Sequence, residues 1–322
     1  MAHLMKAVVL RGITGARDIA LTEIPIPEVR PGWIRIRVKG FGLNHSEKLL
    51  RLSEITADYI SKPIVPGIEC VGIVDDPADS AFHSGQKVMA MMGGMGRNFN
   101  GSYAEYVLVP AHHVFPVEAG LSWAELAAIP ETCYTAWGSL FTGLRLTPED
   151  TFLIRGATCA LGYAAIQLAK ALGSSVIATT HRSGKLPLLA AADETILDEG
   201  ALAPVLSGRG ITRVLELVGP STLRDSLRCL APGGILCHTG VLGGVFTLDG
   251  FDPIKEIPNG VCLTGFFSNT PTPEVIGDMM AFISGHHLRP TIGRRYTFDH
   301  IADACTALDQ GTVDGKIVVT MD

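Results

Sequence analysis

From Thr151 the chain keeps an alternation that few architectures accommodate. Short apolar stretches at Thr151–Arg155, Ser175–Thr179, Glu194–Leu197, Arg213–Val218 and Gly234–His238 alternate with helical patterns at Ala160–Leu172, Lys185–Ala192 and Ser221–Leu230. Strands separated by helices of about 10–15 residues predict βαβ crossovers, and so a parallel sheet covered on both faces. Val261–Phe266 reads as the last strand of that sheet. Just before it begins, Ser122 suits the N-cap of a helix over Ala124–Ala128, and Thr135–Leu144 reads as a second helix. The fold class is α/β, with a doubly wound parallel sheet.

The first part of the chain has another rhythm. Trp33–Lys39 alternates apolar and basic residues, the period of a half-buried strand. Lys6–Leu10, Gly67–Val74, Lys87–Met91 and Tyr103–Val109 read as further strands, with Pro25, Pro27, Pro31, Pro63 and Pro66 in the connections. This is a β-rich module, a twisted partial barrel. After Val261–Phe266 come a helix over Pro273–Ser284, a strand at Tyr296–Phe298, a helix from Ala302 and a strand at Lys316–Thr320.

Composition narrows the class further. The 322 residues are 47% hydrophobic and 18% charged, which excludes a disordered chain. No stretch reaches the ~20 apolar residues of a membrane span, and no signal-peptide pattern opens the sequence. The net charge of −6 and the scattered Lys and Arg argue against a nucleic-acid partner. The seven cysteines are odd in number and contain no CxxC. They read as buried thiols of a reducing, cytoplasmic compartment.

The most informative stretch is Leu153-Ile-Arg-Gly-Ala-Thr-Cys-Ala-Leu-Gly162, followed by an amphipathic helix through Lys170. An apolar strand that enters a turn of small residues and then a helix suits the pyrophosphate of a dinucleotide, which binds at a helix N-terminus. The three glycine positions of the usual fingerprint fall on Ala157, Cys159 and Gly162, so only the third is glycine; Thr158, Ala160 and Leu161 complete the turn. The second strand ends in Thr179-Thr180-His181-Arg182-Ser-Gly-Lys185. Where an NAD site places an acid, this turn offers two fixed cations and a histidine. Arg182 and Lys185 suit a ribose 2′-phosphate, so NADPH is the expected cofactor.

Met5-Lys-Ala-Val-Val, Gly42-Leu-Asn-His-Ser, Pro66-Gly-Ile-Glu, Gly101-Ser-Tyr-Ala-Glu-Tyr, Ala165-Ile-Gln-Leu-Ala-Lys and Gly315-Lys-Ile-Val-Val occur in this order along the chain. With these motifs the whole chain resembles the medium-chain dehydrogenase/reductases, and most of all their zinc-free quinone oxidoreductase branch. The resemblance implies a GroES-like catalytic domain built from residues 1–120 and 270–322, a Rossmann domain over 121–269, and a cofactor in the cleft between them. It implies that Asn44 faces the nicotinamide end and that Thr135 packs on the ring. Backbone groups of Gly240, Val241 and Leu242 and of Phe266, Phe267 and Ser268 border the nicotinamide. Gly219 borders the adenosine ribose, and Lys316 reaches the cofactor. It also implies a homodimer paired through the strand at Val261–Phe266.

Zinc members of this family take ligands at positions that match Asn44, Ile68 and the vicinity of Glu131. An amide and an alkyl chain cannot replace a thiolate and an imidazole, and the stretch Met89–Gly101 lacks the four cysteines of a structural zinc loop. No zinc is expected. Metal-free chemistry on this scaffold suits reduction of a quinone or an α,β-unsaturated carbonyl, in which hydrogen-bond donors hold the developing oxyanion. Asn44, Tyr59, Tyr134 and Glu131 are candidates for that role, with Tyr103 beside them. The alternatives are a zinc-independent carbonyl or alcohol oxidoreductase, or a scaffold or sensor that holds NADPH without turnover. The loop Met89-Ala-Met-Met-Gly-Gly-Met-Gly-Arg97 is either an adaptable apolar wall, with Arg97 selecting an acidic or polar substituent, or a flexible surface loop.

Overall fold

The computed structural model describes residues 3–118 and 120–321. It forms two compact units, Met1–Glu131 with Asn269–Asp322, and Thr132–Ser268. Along the chain the first unit contains β1 (Leu4–Val8), β2 (Leu21–Pro25), β3 (Trp33–Gly42), α1 (His45–Leu52), β4 (Glu69–Asp76), β5 (Lys87–Met91), β6 (Tyr106–Pro110), β7 (Val114–Pro116) and α2 (Trp123–Ala127). Helix α3 (Pro130–Trp137) leads into the second unit. That unit holds β8 (Thr151–Arg155), α4 (Ala160–Leu172), β9 (Ser175–Thr180), β10 (Glu194–Leu197), β11 (Arg213–Glu216), α5 (Pro220–Arg228), β12 (Ile235–His238), α6 (Pro253–Glu256) and β13 (Cys262–Gly265). The chain then returns to the first unit with α7 (Pro273–Gly285), β14 (Ile292–Thr297), α8 (Ile301–Gln310) and β15 (Lys316–Thr320).

In the first unit β3 is the central strand. Ile34, Ile36 and Val38 are buried while Arg35 and Arg37 face outward, as a period of two requires. The sheet runs β14-β15-β3-β4-β5-β7, and β6 also pairs with β3. Strand β15 lies antiparallel to β3, with Val318 opposite Gly42. This pairing brings the C-terminal Gly-Lys motif to the end of β3 from which Asn44 follows. Phe41 stacks on Tyr103 in the core beneath, with ring centroids 4.6 Å apart. The sequence places the first domain boundary at residue 120. The unit carries on to Glu131 because α2 packs on β3, β4 and β15.

The second unit is a parallel sheet in the order β10-β9-β8-β11-β12-β13. Numbered from β8 this is 3-2-1-4-5-6, the doubly wound order. Leu153, Val214, Leu223, Leu227 and Leu236 form part of its core.

Three expectations about local structure are corrected here. The helix expected over Lys185–Ala192 is a 3₁₀ run over Ser183–Leu189, because Pro187 has no amide to donate. The helix expected over Thr135–Leu144 starts earlier, at Pro130, and continues as a π turn over Gly138–Gly143. Strand β11 stops at Glu216 rather than Val218, because the Glu216 carboxylate takes the N–H groups of Val218 and Gly219. Helix α1 was missed, although Asn44 and Glu47 carry its signature. The Glu47 carboxylate accepts the Asn44 N–H at 2.9 Å, one half of a capping box.

Candidate functional site

In the first unit, Asn44 caps α1 and is one tenth exposed or less. Its Nδ2 donates to Glu69 Oε1 at 2.8 Å, and its Oδ1 accepts from Lys316 Nζ at 2.5 Å. Lys316 Nζ also lies 2.8 Å from Glu69 Oε1. The second Glu69 oxygen accepts the Glu131 N–H at the head of α3, at 2.7 Å. Gly42 makes room for this cluster: a Cβ there would lie 2.6 Å from Glu69 Oε1 and collide with the Lys316 side chain. Burial lowers the Lys316 pKa, but Glu69 and then Glu131 hold it above the ordinary value. Glu47 closes the cluster by accepting the Ile68 N–H at 3.2 Å. Burial and the neighbouring Glu69 push its pKa up to about 7.

The cluster thus joins Asn44, Lys316 and the backbone of Glu131, three positions the sequence singles out. It also adds Glu47 and Glu69, which sequence reasoning did not assign a role. Glu69 stood inside a quoted motif, and its burial with Lys316 was the missing signal. Tyr59 lies apart from this group: its ring is largely exposed and its hydroxyl donates to Glu54 at 2.9 Å. Tyr103 is fully buried, and its hydroxyl has no hydrogen-bond partner among the described residues. Met89, Met91 and Met95 are buried, whereas Met92 is half-buried at φ +62°. Arg97 is bound by Glu54 and Ser46.

In the second unit the small-residue turn sits at the carboxyl end of β8. Gly162 is required there, since a Cβ would lie 2.6 Å from the Ala157 Cα. Cys159 is the N-cap of α4, and its Sγ accepts the Gly162 N–H at 3.3 Å. The first-turn N–H groups of Ala160 and Leu161 have no intrahelical partner, as at any helix start. Thr158 Oγ1 bonds Thr180 Oγ1 at 3.0 Å and so ties the turn to the end of β9. Beyond Thr180, His181 and Arg182 are exposed and Lys185 is half-buried. The Arg182 Nε donates to His181 Nε2 at 3.2 Å. The turn and the helix start sit at the carboxyl end of the first strand of a Rossmann-type, dinucleotide-binding sheet.

The other second-unit positions fall in three places. Thr135 and Tyr134 are buried in α3, and Tyr134 meets Phe266 edge-on at 5.6 Å between ring centroids. Burial raises the Tyr134 pKa. Gly219 starts α5 at φ +109°, and Gly240 lies beside it. Val241 is half-buried and Leu242 exposed, while the Leu242 N–H donates to Leu217 O at 3.1 Å. Ser268 is buried, but the Phe267 side chain is 80% exposed.

Sequence reasoning also missed Arg155, the last residue of β8. It is fully buried. Its fork bonds Asp198 at 2.8 and 3.1 Å, Asp225 at 2.7 Å and Ser226 at 3.1 Å. Backbone oxygens of Gly200 and Thr222 complete its partners. Ser226 in turn donates to Glu216 at 2.5 Å. One guanidinium thus fastens the loop after β10 and helix α5 to the strand that leads into the turn. An arginine within an otherwise apolar strand was the available signal.

Among the described residues, no three His, Cys, Asp or Glu side chains are grouped to hold a metal ion. At the positions matching zinc ligands, Asn44 has its oxygen taken by a lysine ammonium and Ile68 offers only carbon. This donor set does not fit zinc. Among the described residues, no helix is long and apolar enough to cross a membrane.

Residues 30–119 match the alcohol dehydrogenase GroES-like domain, and residues 191–319 match a zinc-binding dehydrogenase family. Human quinone oxidoreductase is 25% identical, with 99% of this chain and 98% of that protein covered. The zinc-type alcohol dehydrogenase-like protein of Schizosaccharomyces pombe is 24% identical over 99% of both chains. A crystal structure described as an NAD-dependent alcohol dehydrogenase superposes with a TM-score of 0.85 at 26% identity, covering 99% of this chain and 100% of the other. With its β-rich unit formed from both chain ends, its 3-2-1-4-5-6 sheet and relatives along its whole length, the chain belongs to the medium-chain dehydrogenase/reductase superfamily.

Proposed function

We propose that this protein reduces a quinone or an α,β-unsaturated carbonyl compound with NADPH, without zinc. The observation that carries the reading is the sequence of the loop after β9, which between Thr179 and Leu186 contains the cations Arg182 and Lys185 where an NAD site carries an acid. Arg182 presents a planar fork and Lys185 a point charge, a pair suited to a 2′-phosphate. The N–H groups of Ala160 and Leu161 would take the pyrophosphate at the start of α4. Gly219 would border the adenosine ribose, and Thr135 with the backbone of residues 240–242 and 266–268 the nicotinamide. When bound, NADPH supplies a hydride.

The buried cluster has a supporting part in this reading. Both ends of the Asn44 amide are occupied, by Glu69 and Lys316. Asn44 and Lys316 therefore hold the head of α1 in place. A homodimer through β13 fits the same reading. This strand is an outer edge of the parallel sheet, with Cys262 and Gly265 exposed, so its outward backbone groups are open to a second copy. The free thiols suit a reducing, cytoplasmic setting.

Fluorescence titration with NADPH and NADH tests the cofactor assignment. NADPH should bind at least about tenfold more tightly. Arg182→Gln with Lys185→Gln should remove that preference and leave NADH binding unchanged. Oxidation of bound NADPH by a panel of small quinones and enones then tests the reaction. Binding without oxidation by any of them favours the scaffold reading. No binding of either nucleotide refutes the cofactor assignment.

A further inference from the structure

Just before β3 the chain reads Arg30-Pro-Gly-Trp33. Proline in the second place and glycine in the third is the pattern of a type II turn, whose third residue needs a positive φ. Gly32 has φ +76°, and the Trp33 N–H donates to Arg30 O at 3.1 Å. The turn is held in place from two sides. Gly32 N–H donates to Asp79 at 2.7 Å, and Arg35 Nη1 donates to Pro27 O at 3.1 Å. It sets the Arg30 guanidinium over the Trp33 ring, 3.8 Å from the ring centroid.

Arg30 and Trp33 both line a cavity of about 240 Å³. Met5, Val65, Ala104 and Val107 line it too, and all four are buried. Phe99 completes an aromatic corner, meeting Trp33 edge-on with ring centroids 5.1 Å apart. The cavity lies wholly within the first unit and shares no residue with the Asn44 cluster.

The charge of Arg30 sets this cavity apart. Arg35, five residues later, is neutralised by Asp75 at 2.6 Å. The Arg30 side chain, by contrast, forms no ion pair and no hydrogen bond among the described residues; its one contact of this kind is the stack on Trp33. Stacking takes up the face of a guanidinium and leaves its in-plane N–H fork able to donate. Such a fork matches a carboxylate, and the apolar lining matches a ring. A dry cavity of about 150 Å³ is enough for benzene, so this one has room for a single ring with a short side chain.

We propose that this cavity is a binding site for a small aryl carboxylate, with the ring against Phe99 and the apolar lining and the carboxylate on the fork of Arg30. The site is additional to the reductase reading and does not rest on it.

Calorimetry on the intact protein with phenylpropionate, its neutral amide and propionate tests the proposal. Phenylpropionate should bind with a Kd below about 1 mM, and the amide and propionate at least about tenfold more weakly. Added salt should weaken binding of the acid and leave the amide unchanged. Arg30 is exposed, so Arg30→Gln leaves the core intact. It should weaken the acid about tenfold and bring it level with the amide. Leu108→Trp, at a half-buried position that lines the cavity, should weaken both by filling it. Arg182→Gln with Lys185→Gln should leave both unchanged, which separates this site from the cationic loop after β9. No binding of phenylpropionate, or equal binding of acid and amide by the unaltered protein, would overturn the proposal. So would undiminished binding of the acid in Arg30→Gln or Leu108→Trp, or its loss in the Arg182 and Lys185 double variant. None of these measurements needs NADPH or turnover, so failure of the reductase reading leaves this one standing.

Discussion

Each unit buries a cation among acids, and the two do it differently. In the Rossmann unit Arg155 spreads its planar fork over Asp198, Asp225, Ser226 and two backbone oxygens, and so joins three separate segments. In the barrel unit Lys316 is a point charge shared between Glu69 and the Asn44 oxygen. A fork satisfies several acceptors at fixed angles, whereas an ammonium leaves more of the charge balance to its neighbours. The consequence appears in Glu47, which is buried beside a second carboxylate and holds its proton up to about pH 7. The arginine cluster works as a fastener, while the lysine cluster is open to adjustment by pH.

The largest effect should come from breaking the fork. Arg155→Met removes a fully buried cation from the half-buried Asp198 and Asp225 and should cost about 3–5 kcal/mol, read as a fall in the urea midpoint. Next comes the pH dependence of the lysine cluster. The folded pKa of Glu47 is raised from the ordinary 4.5 to about 7. Its contribution is therefore fully present below about pH 4.5 and is lost as pH rises through 7. Glu47→Gln, a permanent mimic of the protonated acid, should remove roughly 3 kcal/mol of the stability difference between pH 4 and pH 8. Unfolding curves at the two pH values would show no such change if the cluster were insensitive to pH.

Removing the amide that links the cluster should have a smaller effect. Asn44→Ala takes one partner each from Glu69 and Lys316, which still hold one another, and should cost about 1–3 kcal/mol in chemical denaturation. The smallest effect marks the value of charge pairing without burial. Arg209 and Glu194 form an ion pair with both side chains well exposed. Arg209→Gln should change stability by less than about 1 kcal/mol, in contrast with Arg155→Met.

Much of the fold was legible because it is written in local patterns. The limits of β5, β8, β10, α4 and β15 follow from apolar period, flanking turns and the glycine that ends α4 at φ +101°. Where local reading went astray, a particular side chain decided the outcome. Pro187 tightened a helix, the Glu216 carboxylate ended a strand, and the Glu47 side chain started the helix that was overlooked. The turn after β8 and the cationic loop after β9 were legible as motifs, since the residues of each are neighbours along the chain. The partners of Asn44 were not, because Lys316 is 272 positions away.

The sequence by itself determined the two-part organisation, the parallel sheet, the small-residue turn and the lack of a zinc-type ligand set, because period, turn chemistry and donor type are local properties. Only the tertiary structure decided what each charge faces. Arg155 became a buried fastener and Asn44 a link between Glu69 and Lys316, through partners brought in from distant segments. A side chain's charge is fixed by its type. Its action depends on the partners and the water that the fold leaves around it.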